Sequence, residues 1–190
     1  VGKQAKIYVA GHKGLVGSAL LKVLGQQGYA NFVRKEFSEL NLNGQAAVNA
    51  NYHPENSHVL LALIRCFHEA KAEGKPFVNA WGTGEPRREF YYSEDMAEAC
   101  VFLMNNYEGS EIVNIGCGQD MTIRELYRLV AEIIGYQGEI RWDRSRPGGT
   151  LQKMLDVTHL HRLGFNKHTP LSEGIRLSYQ DFLDKSDIRK

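Results

Sequence analysis

The 190 residues carry a formal net charge of +1, with 43% hydrophobic and 24% charged side chains, ordinary values for a globular chain of one domain or two small ones. So even a balance, with the basic residues dispersed, gives no electrostatic basis for binding nucleic acid or a membrane surface. No apolar run reaches roughly 18 residues and the start lacks signal-peptide order, so a cytoplasmic protein is expected.

The first predicted element is a buried strand through Ile7, Tyr8, Val9 and Ala10. It meets three glycines, Gly11, Gly14 and Gly17, spaced G-x-x-G-x-x-G, and an amphipathic helix (Leu15, Ala19, Leu20, Val23, Leu24) is predicted to begin at Gly17. In a phosphate-binding turn the first glycine permits the tight reversal and the second lets backbone approach a pyrophosphate. The third lets helix and strand pack closely, and the helix N-terminus faces the anion. Gly11, His12, Lys13, Gly14, Leu15, Val16 and Gly17 are therefore candidate dinucleotide-binding residues; the alternative is a merely structural strand-turn-helix.

A second strand over Asn31, Phe32 and Val33 ends in Arg34 and Lys35. A basic residue closing this strand accommodates a 2′-phosphate where an acidic one would bind the ribose, so the pair favours NADP over NAD. A solvated basic pair at a strand end is the plainer alternative. Asn41 and Leu42 are expected in the next turn, bordering the adenine.

After Val48 the alternation stops. A polar stretch from Asn51 to His58 leads into a helix from Val59 to about Glu73. A six-stranded dinucleotide fold needs four more strands, on the order of 120 residues at ~30 per βα unit, and two strands do not make a stable sheet in water. Downstream, strands are predicted at Phe77 to Trp81, Glu111 to Gly116 and Glu139 to Trp142. Helices are predicted at Ser93 to about Asn105 with Ser93 as N-cap, at Thr122 to about Gly135 with a Thr122/Glu125 capping box, at Asp156 to Leu163, and at Ser172 to about Lys185. Cys66, Cys100 and Cys117 are an odd count without C-x-x-C spacing and read as buried thiols rather than disulfides or a zinc site. His159 and His161 on one short helix point to different faces and are read as exposed histidines, not metal ligands.

The strings Ala10-Gly-His-Lys-Gly-Leu-Val-Gly-Ser18 and Glu39-Leu-Asn-Leu42 resemble the N-terminus of the GDP-L-fucose synthase family, within the extended short-chain dehydrogenase/reductases. So do Asn56-Ser-His-Val59, Phe67-His-Glu-Ala70, Trp81-Gly-Thr-Gly84, Arg88-Glu-Phe90, Asn114-Ile-Gly116 and Leu155-Asp-Val-Thr158. The resemblance implies an epimerase-reductase that converts GDP-4-keto-6-deoxy-D-mannose to GDP-L-fucose with NADPH. It also implies a homodimer of soluble subunits, each with a dinucleotide domain and a smaller nucleotide-sugar domain. The expected fold is thus α/β: an incomplete NADP-binding Rossmann-type parallel sheet over 1–50, and a mainly GDP-sugar-binding α/β domain over 51–190 that returns some elements to the sheet.

The chain departs from the family at its reducing centre. None of its nine tyrosines has a lysine four residues later, so the family's Y-x-x-x-K pair is absent, with its Ser and its epimerisation Cys. The resemblance places that missing segment between about Asn49 and Asn51. Of the catalytic residues it implies only His58, the acid that protonates the ring carbon, a role suited to a group titrating near neutrality; from the residues alone His58 equally reads as a cap or surface group. Arg88 and Lys153 are similar in position to the cations that hold the GDP pyrophosphate, with Trp81 at the same site. Taken alone, Arg88 also fits a strand-end ion pair and Trp81 a core anchor. Arg65 is a further candidate, although the adjacent family cation is replaced by Cys66. Asn56 and Ser57 are candidate sugar contacts or ordinary helix caps. The chain as written is expected to lack turnover. The rival readings are a non-catalytic nucleotide-sugar-binding module and another extended reductase or epimerase of nucleotide sugars.

Overall fold

A computed structural model describes residues 1–9, 11–12, 14–33, 59–145 and 149–187. In chain order the elements are β1 (Ile7–Tyr8), α1 (Leu15–Gln26), β2 (Phe32–Val33), α2 (Val59–Ala72), β3 (Phe77–Trp81), β4 (Arg87–Glu89), α3 (Ser93–Asn106), β5 (Asp120–Thr122), α4 (Ile123–Ile134), β6 (Glu139–Asp143), β7 (Gln152–Lys153), α5 (Thr158–Arg162) and α6 (Leu171–Asp187). They divide into two compact units, each assembled from three separate stretches of chain.

Unit 1 comprises Val1–Ala50, Tyr91–Cys117 and Asp156–His168. Its strands β1 and β2 are parallel, with Ile7 opposite Phe32 and Tyr8 opposite Val33. Helix α1 joins them, as the right-handed parallel crossover requires. Ala19, Val23 and Leu24 of α1 recur at helical spacing and pack with Ala97 and Val101 of α3 and with Val9 and Tyr29. The buried Tyr29 ring carries a hydroxyl that bonds the Val1 carbonyl at 3.1 Å and Asn105 Oδ1 at 3.0 Å. Lys22 of α1 pairs with Glu94 in the first turn of α3.

Unit 2 comprises Asn51–Phe90, Gly118–Leu155 and Thr169–Lys190. Strands β3 and β6 are parallel over five register pairs, Phe77↔Glu139 to Trp81↔Asp143. Against them α2 buries Leu63, Ile64, Phe67 and Ala70, α4 buries Leu126, Val130, Ala131 and Ile134, and α6 contributes Ile175. Phe67, fully buried, meets Tyr127 edge-on at 5.9 Å and Tyr136 at 5.4 Å; burying a ring of this size contributes about 1.5–3 kcal/mol. Helix α4 is closed at both ends. Thr122 Oγ1 accepts from the Glu125 N–H while Glu125 accepts from the Thr122 N–H, and Gly135 at φ 76° lets the C-terminus turn back onto Ala131. Lys71 adds a cation at that C-terminus, donating to the Ile134 carbonyl at 2.7 Å.

Several boundaries differ from expectation. Helix α1 starts at Leu15 with Gly14 as its cap, not at Gly17. Ser93 is the first residue of α3 rather than its cap, and makes no capping bond there. Helix α5 is shorter than expected because Asp156 stays outside it, its carboxylate accepting the Thr158 N–H at 2.9 Å. The stretch Glu111 to Gly116 is not a strand: no ladder partner lies beside it among the described residues, and Ile112 is 89% exposed. A small three-stranded sheet in unit 2, ordered β5-β4-β7, was not anticipated.

Candidate functional site

In unit 1 the chain leaves β1 through Gly11, whose φ of 63° favours glycine. The Gly14 N–H returns to the Gly11 carbonyl at 2.8 Å, and Gly14 begins α1. A Cβ on Gly17 would lie 2.1 Å from the Gly11 carbonyl oxygen and 2.9 Å from His12 Cα. The third glycine therefore permits contact between helix and turn, not helix and strand. No side chain caps α1 and no acidic residue stands in its first turn, so its N-terminal N–H groups and positive dipole end suit an anion. His12 is half-buried, and Leu15 and Val16 stay exposed beside the turn. Lys13, Arg34, Lys35, Asn41 and Leu42 lie outside the described residues.

In unit 2 the second candidate surface is the sheet β5-β4-β7. Strand β4 runs antiparallel to β5 and parallel to β7, with Arg88 opposite Lys153 and Arg87 opposite Gln152. Register partners leave a sheet on the same face, so Arg88 and Lys153 stand side by side on one face. Arg88 is braced by its own Nη1, which donates to the carbonyls of Arg87 and Thr150, each at 2.7 Å. Among the described residues no hydrogen bond or ion pair engages the side chain of the exposed Lys153.

The opposite face carries the residues that sequence reading missed. Asp120 accepts from Arg87 Nε at 2.8 Å and from Gln152 Nε2 at 2.6 Å, and these bonds hold its carboxyl below the usual 3.8. Glu89 accepts the N–H groups of Gly118 at 2.8 Å and Leu155 at 2.9 Å. The only local sign was the alternation Arg87-Arg88-Glu89, which sends the middle side chain to the other face.

Trp81 ends β3 and is 66% exposed. The segment between β3 and β4 is pinned: the Gly82 N–H bonds the Asp143 carbonyl, the Arg124 N–H bonds the Gly84 carbonyl, and the Arg124 side chain bonds the Thr83 carbonyl. Gly84 sits at φ 77°, and a Cβ there would lie 2.7 Å from the Trp142 ring. The pinning sets the separation between Trp81 and Arg88. Arg65 lies elsewhere in unit 2, in a depression of about 460 Å³ between α2 and β3 that it lines with Cys66, Lys75 and Asn79. Its Nε bonds Glu69 Oε1 at 2.6 Å, one turn along α2. The cysteines are not the buried thiols expected: Cys66 is exposed and Cys100 and Cys117 are half-buried, although partial desolvation still pushes the Cys66 thiol up. The structure thus brings Arg88 and Lys153 together and uses the Arg65 charge locally. Asn56, Ser57 and His58 lie outside the described residues. None of these residues gathers into a metal cluster among the described ones.

A parallel strand pair joined through a glycine turn and an uncapped helix is the opening unit of the dinucleotide-fold class of α/β proteins. A profile of the NAD dependent epimerase/dehydratase family matches residues 40–116. GDP-L-fucose synthase 1 of Arabidopsis thaliana is 50% identical over 135 residues, 71% of this chain and 42% of that protein. A crystal structure of a GDP-L-fucose synthetase from Naegleria fowleri bound to NADP aligns with a TM-score of 0.68 at 25% identity, covering 72% of this chain and 43% of that one. A GDP-6-OMe-4-keto-L-xylo-heptose reductase from C. jejuni shares the fold at a TM-score of 0.83 and 21% identity, over 97% of this chain and 99% of that one. Over about seven tenths of its own length the chain is thus similar to curated GDP-L-fucose synthases. It spans about two fifths of the length of the first curated relatives it matches.

Proposed function

We propose that this chain is the NADP- and GDP-sugar-binding part of a GDP-L-fucose synthase, which epimerises and reduces GDP-4-keto-6-deoxy-D-mannose. The observation that carries the reading is the Arg88–Lys153 register pair, two cations on one face, one of them a braced guanidinium, in a chain half identical to a GDP-L-fucose synthase over most of its length. A guanidinium fork and a mobile ammonium suit the two phosphates of a nucleoside diphosphate. Trp81 offers an exposed ring face for stacking. Asn56, Ser57 and His58 precede α2 in the sequence, and the reading takes His58 as the ring-carbon acid of epimerisation.

The Gly11–Gly17 turn suits a dinucleotide pyrophosphate, because the close approach at Gly17 sets the turn against the uncapped N-terminus of α1. Lys13, Arg34 and Lys35 supply the preference for NADP. When bound, the dinucleotide supplies the hydride for ketone reduction. The chain's own residues hold it through the turn and hold the GDP-sugar through Arg88 and Lys153. With no Tyr and Lys in Y-x-x-x-K spacing, the 190 residues bind without turning over. The whole enzyme is read as a cytoplasmic homodimer.

Titration calorimetry with GDP, UDP and NADPH tests this. GDP binds and UDP competes weakly, Arg88→Ala or Lys153→Ala weakens GDP by about tenfold or more, and NADPH is not oxidised above background in the presence of the keto sugar. Equal affinity for UDP favours another nucleotide-sugar enzyme, and absence of GDP binding removes the reading altogether.

A further inference from the structure

Strand β7 carries Lys153 but has little to hold it. It is two residues long, it lies at the edge of its sheet, and its neighbours Leu151, Met154 and Leu155 are exposed rather than packed in a core. Two ladder pairs to β4 and the bond from the Arg87 N–H to the Leu151 carbonyl are its backbone ties. On the cation face Arg88 Nη1 holds the Thr150 carbonyl just before β7 at 2.7 Å; the other ties come from the opposite face and converge on carboxylates.

Asp120 lies on β5, which is separated from β7 by the whole of β4. Its carboxylate nevertheless reaches across, one oxygen taking Arg87 Nε of β4 at 2.8 Å and the other taking Gln152 Nε2 of β7 at 2.6 Å. Arg87 Nη2 also donates to the Asp120 carbonyl at 3.2 Å. One side chain, only 8% exposed, thereby fixes all three strands. Glu89 adds a second tie by accepting the Leu155 N–H just beyond β7. Asp120 and Glu89 are direct cross-strand partners, and like charges in that position destabilise a sheet unless each is satisfied. Here both are, by groups that also locate β7.

The geometry points to Asp120 as a positioning residue for anion binding: through Gln152 and Arg87 it sets Lys153 beside Arg88, so that the two cations grip a pyrophosphate together. The inference rests on the GDP-sugar reading above. Asp120 does not itself touch the ligand; it stands on the other face of the sheet. Its charge alone predicts the opposite outcome, since removing a negative charge near an anion site strengthens anion binding. Sign therefore separates positioning from simple electrostatics.

The test is calorimetric titration of the 190-residue chain and its Asp120→Asn variant with GDP and with guanosine, after circular dichroism confirms folding at the working temperature. Positioning predicts that GDP affinity falls about tenfold while guanosine affinity is unchanged, because only the phosphate grip is lost. GDP affinity that is unchanged or increased in the variant overturns the inference. So does an equal loss for GDP and guanosine, which a general loosening of the sheet would produce. If Asp120→Asn does not fold, Gln152→Ala, which removes one neutral partner, replaces it. A selective loss of GDP affinity of about threefold supports positioning, and unchanged GDP affinity overturns it. A parent chain that binds guanosine and GDP equally overturns the phosphate grip. A parent that binds neither overturns the functional reading and this inference with it.

Discussion

Unit 1 closes its sheet with two register pairs, whereas in unit 2 β3 and β6 share five. Among the described residues the apolar cluster of unit 1 has seven buried members against eleven in unit 2. The helices differ too: α4 has a capping box and a left-handed glycine cap, while α1 has no side-chain cap at all. An end left open toward solvent forgoes about 1 kcal/mol of capping and keeps its N–H groups available to a ligand. Helices α3 and α5 lack side-chain caps as well, so what sets α1 apart is an uncapped end that follows directly on a glycine turn.

The comparison is broken most directly in the unit 2 core. Phe67→Ala is expected to cost about 3–5 kcal/mol, read as a lower urea midpoint at unchanged slope. A cost under about 1 kcal/mol would mean that the ring sits in a loose site and that the fuller core is not the firmer one. Next is Gly17→Ala, which forces a Cβ to 2.1 Å from the Gly11 carbonyl. Backbone must move, at about 1–3 kcal/mol, and NADPH affinity is expected to fall with it in a fluorescence titration. Retained affinity would detach the glycine turn from dinucleotide binding.

Thr122→Ala should cost about 1 kcal/mol by opening the α4 cap, measurable as a lower melting temperature with GDP affinity unaltered. The smallest effect is on acid stability. Bonds from Gln152 and then Arg87 lower the Asp120 carboxyl, the Thr122 backbone and hydroxyl lower Glu125, and the Thr158 side chain and backbone lower Asp156. Depressed carboxyls contribute stability that is fully present above their ordinary values of 3.8 and 4.5 and is lost as pH falls through the lowered ones. The melting temperature should therefore hold at mildly acid pH and begin to drop only below the ordinary Glu value of 4.5. A drop beginning near neutrality would assign the acid sensitivity to other groups.

What the sequence made legible was whatever is settled within a few residues. The glycine turn is set by residue type, since φ at Gly11 and the space at Gly17 admit little else. The Thr122/Glu125 box is likewise local, and the helical spacing of Ile64, Phe67 and Ala70 marks one face of α2. The sheet β5-β4-β7 escaped because its strands are two or three residues long and exist only through partners far along the chain. The apolar residues Ile112, Val113 and Ile115 are compatible with a strand, yet composition cannot provide a neighbour to pair with. Arg88 and Lys153 could be named one at a time, but that they stand together is a fact of register.

Both units are discontinuous in sequence, each closed by a late segment, Asp156–His168 for unit 1 and Thr169–Lys190 for unit 2. On a ribosome this denies the chain the usual economy of finishing one domain before the next emerges. The glycine turn is synthesised early but must wait for α3 and α5, and Arg88 must wait for Lys153. Until then α2 and β3 expose apolar surface, so a nascent chain stalled before residue 156 should be a stronger client for chaperones than one released whole.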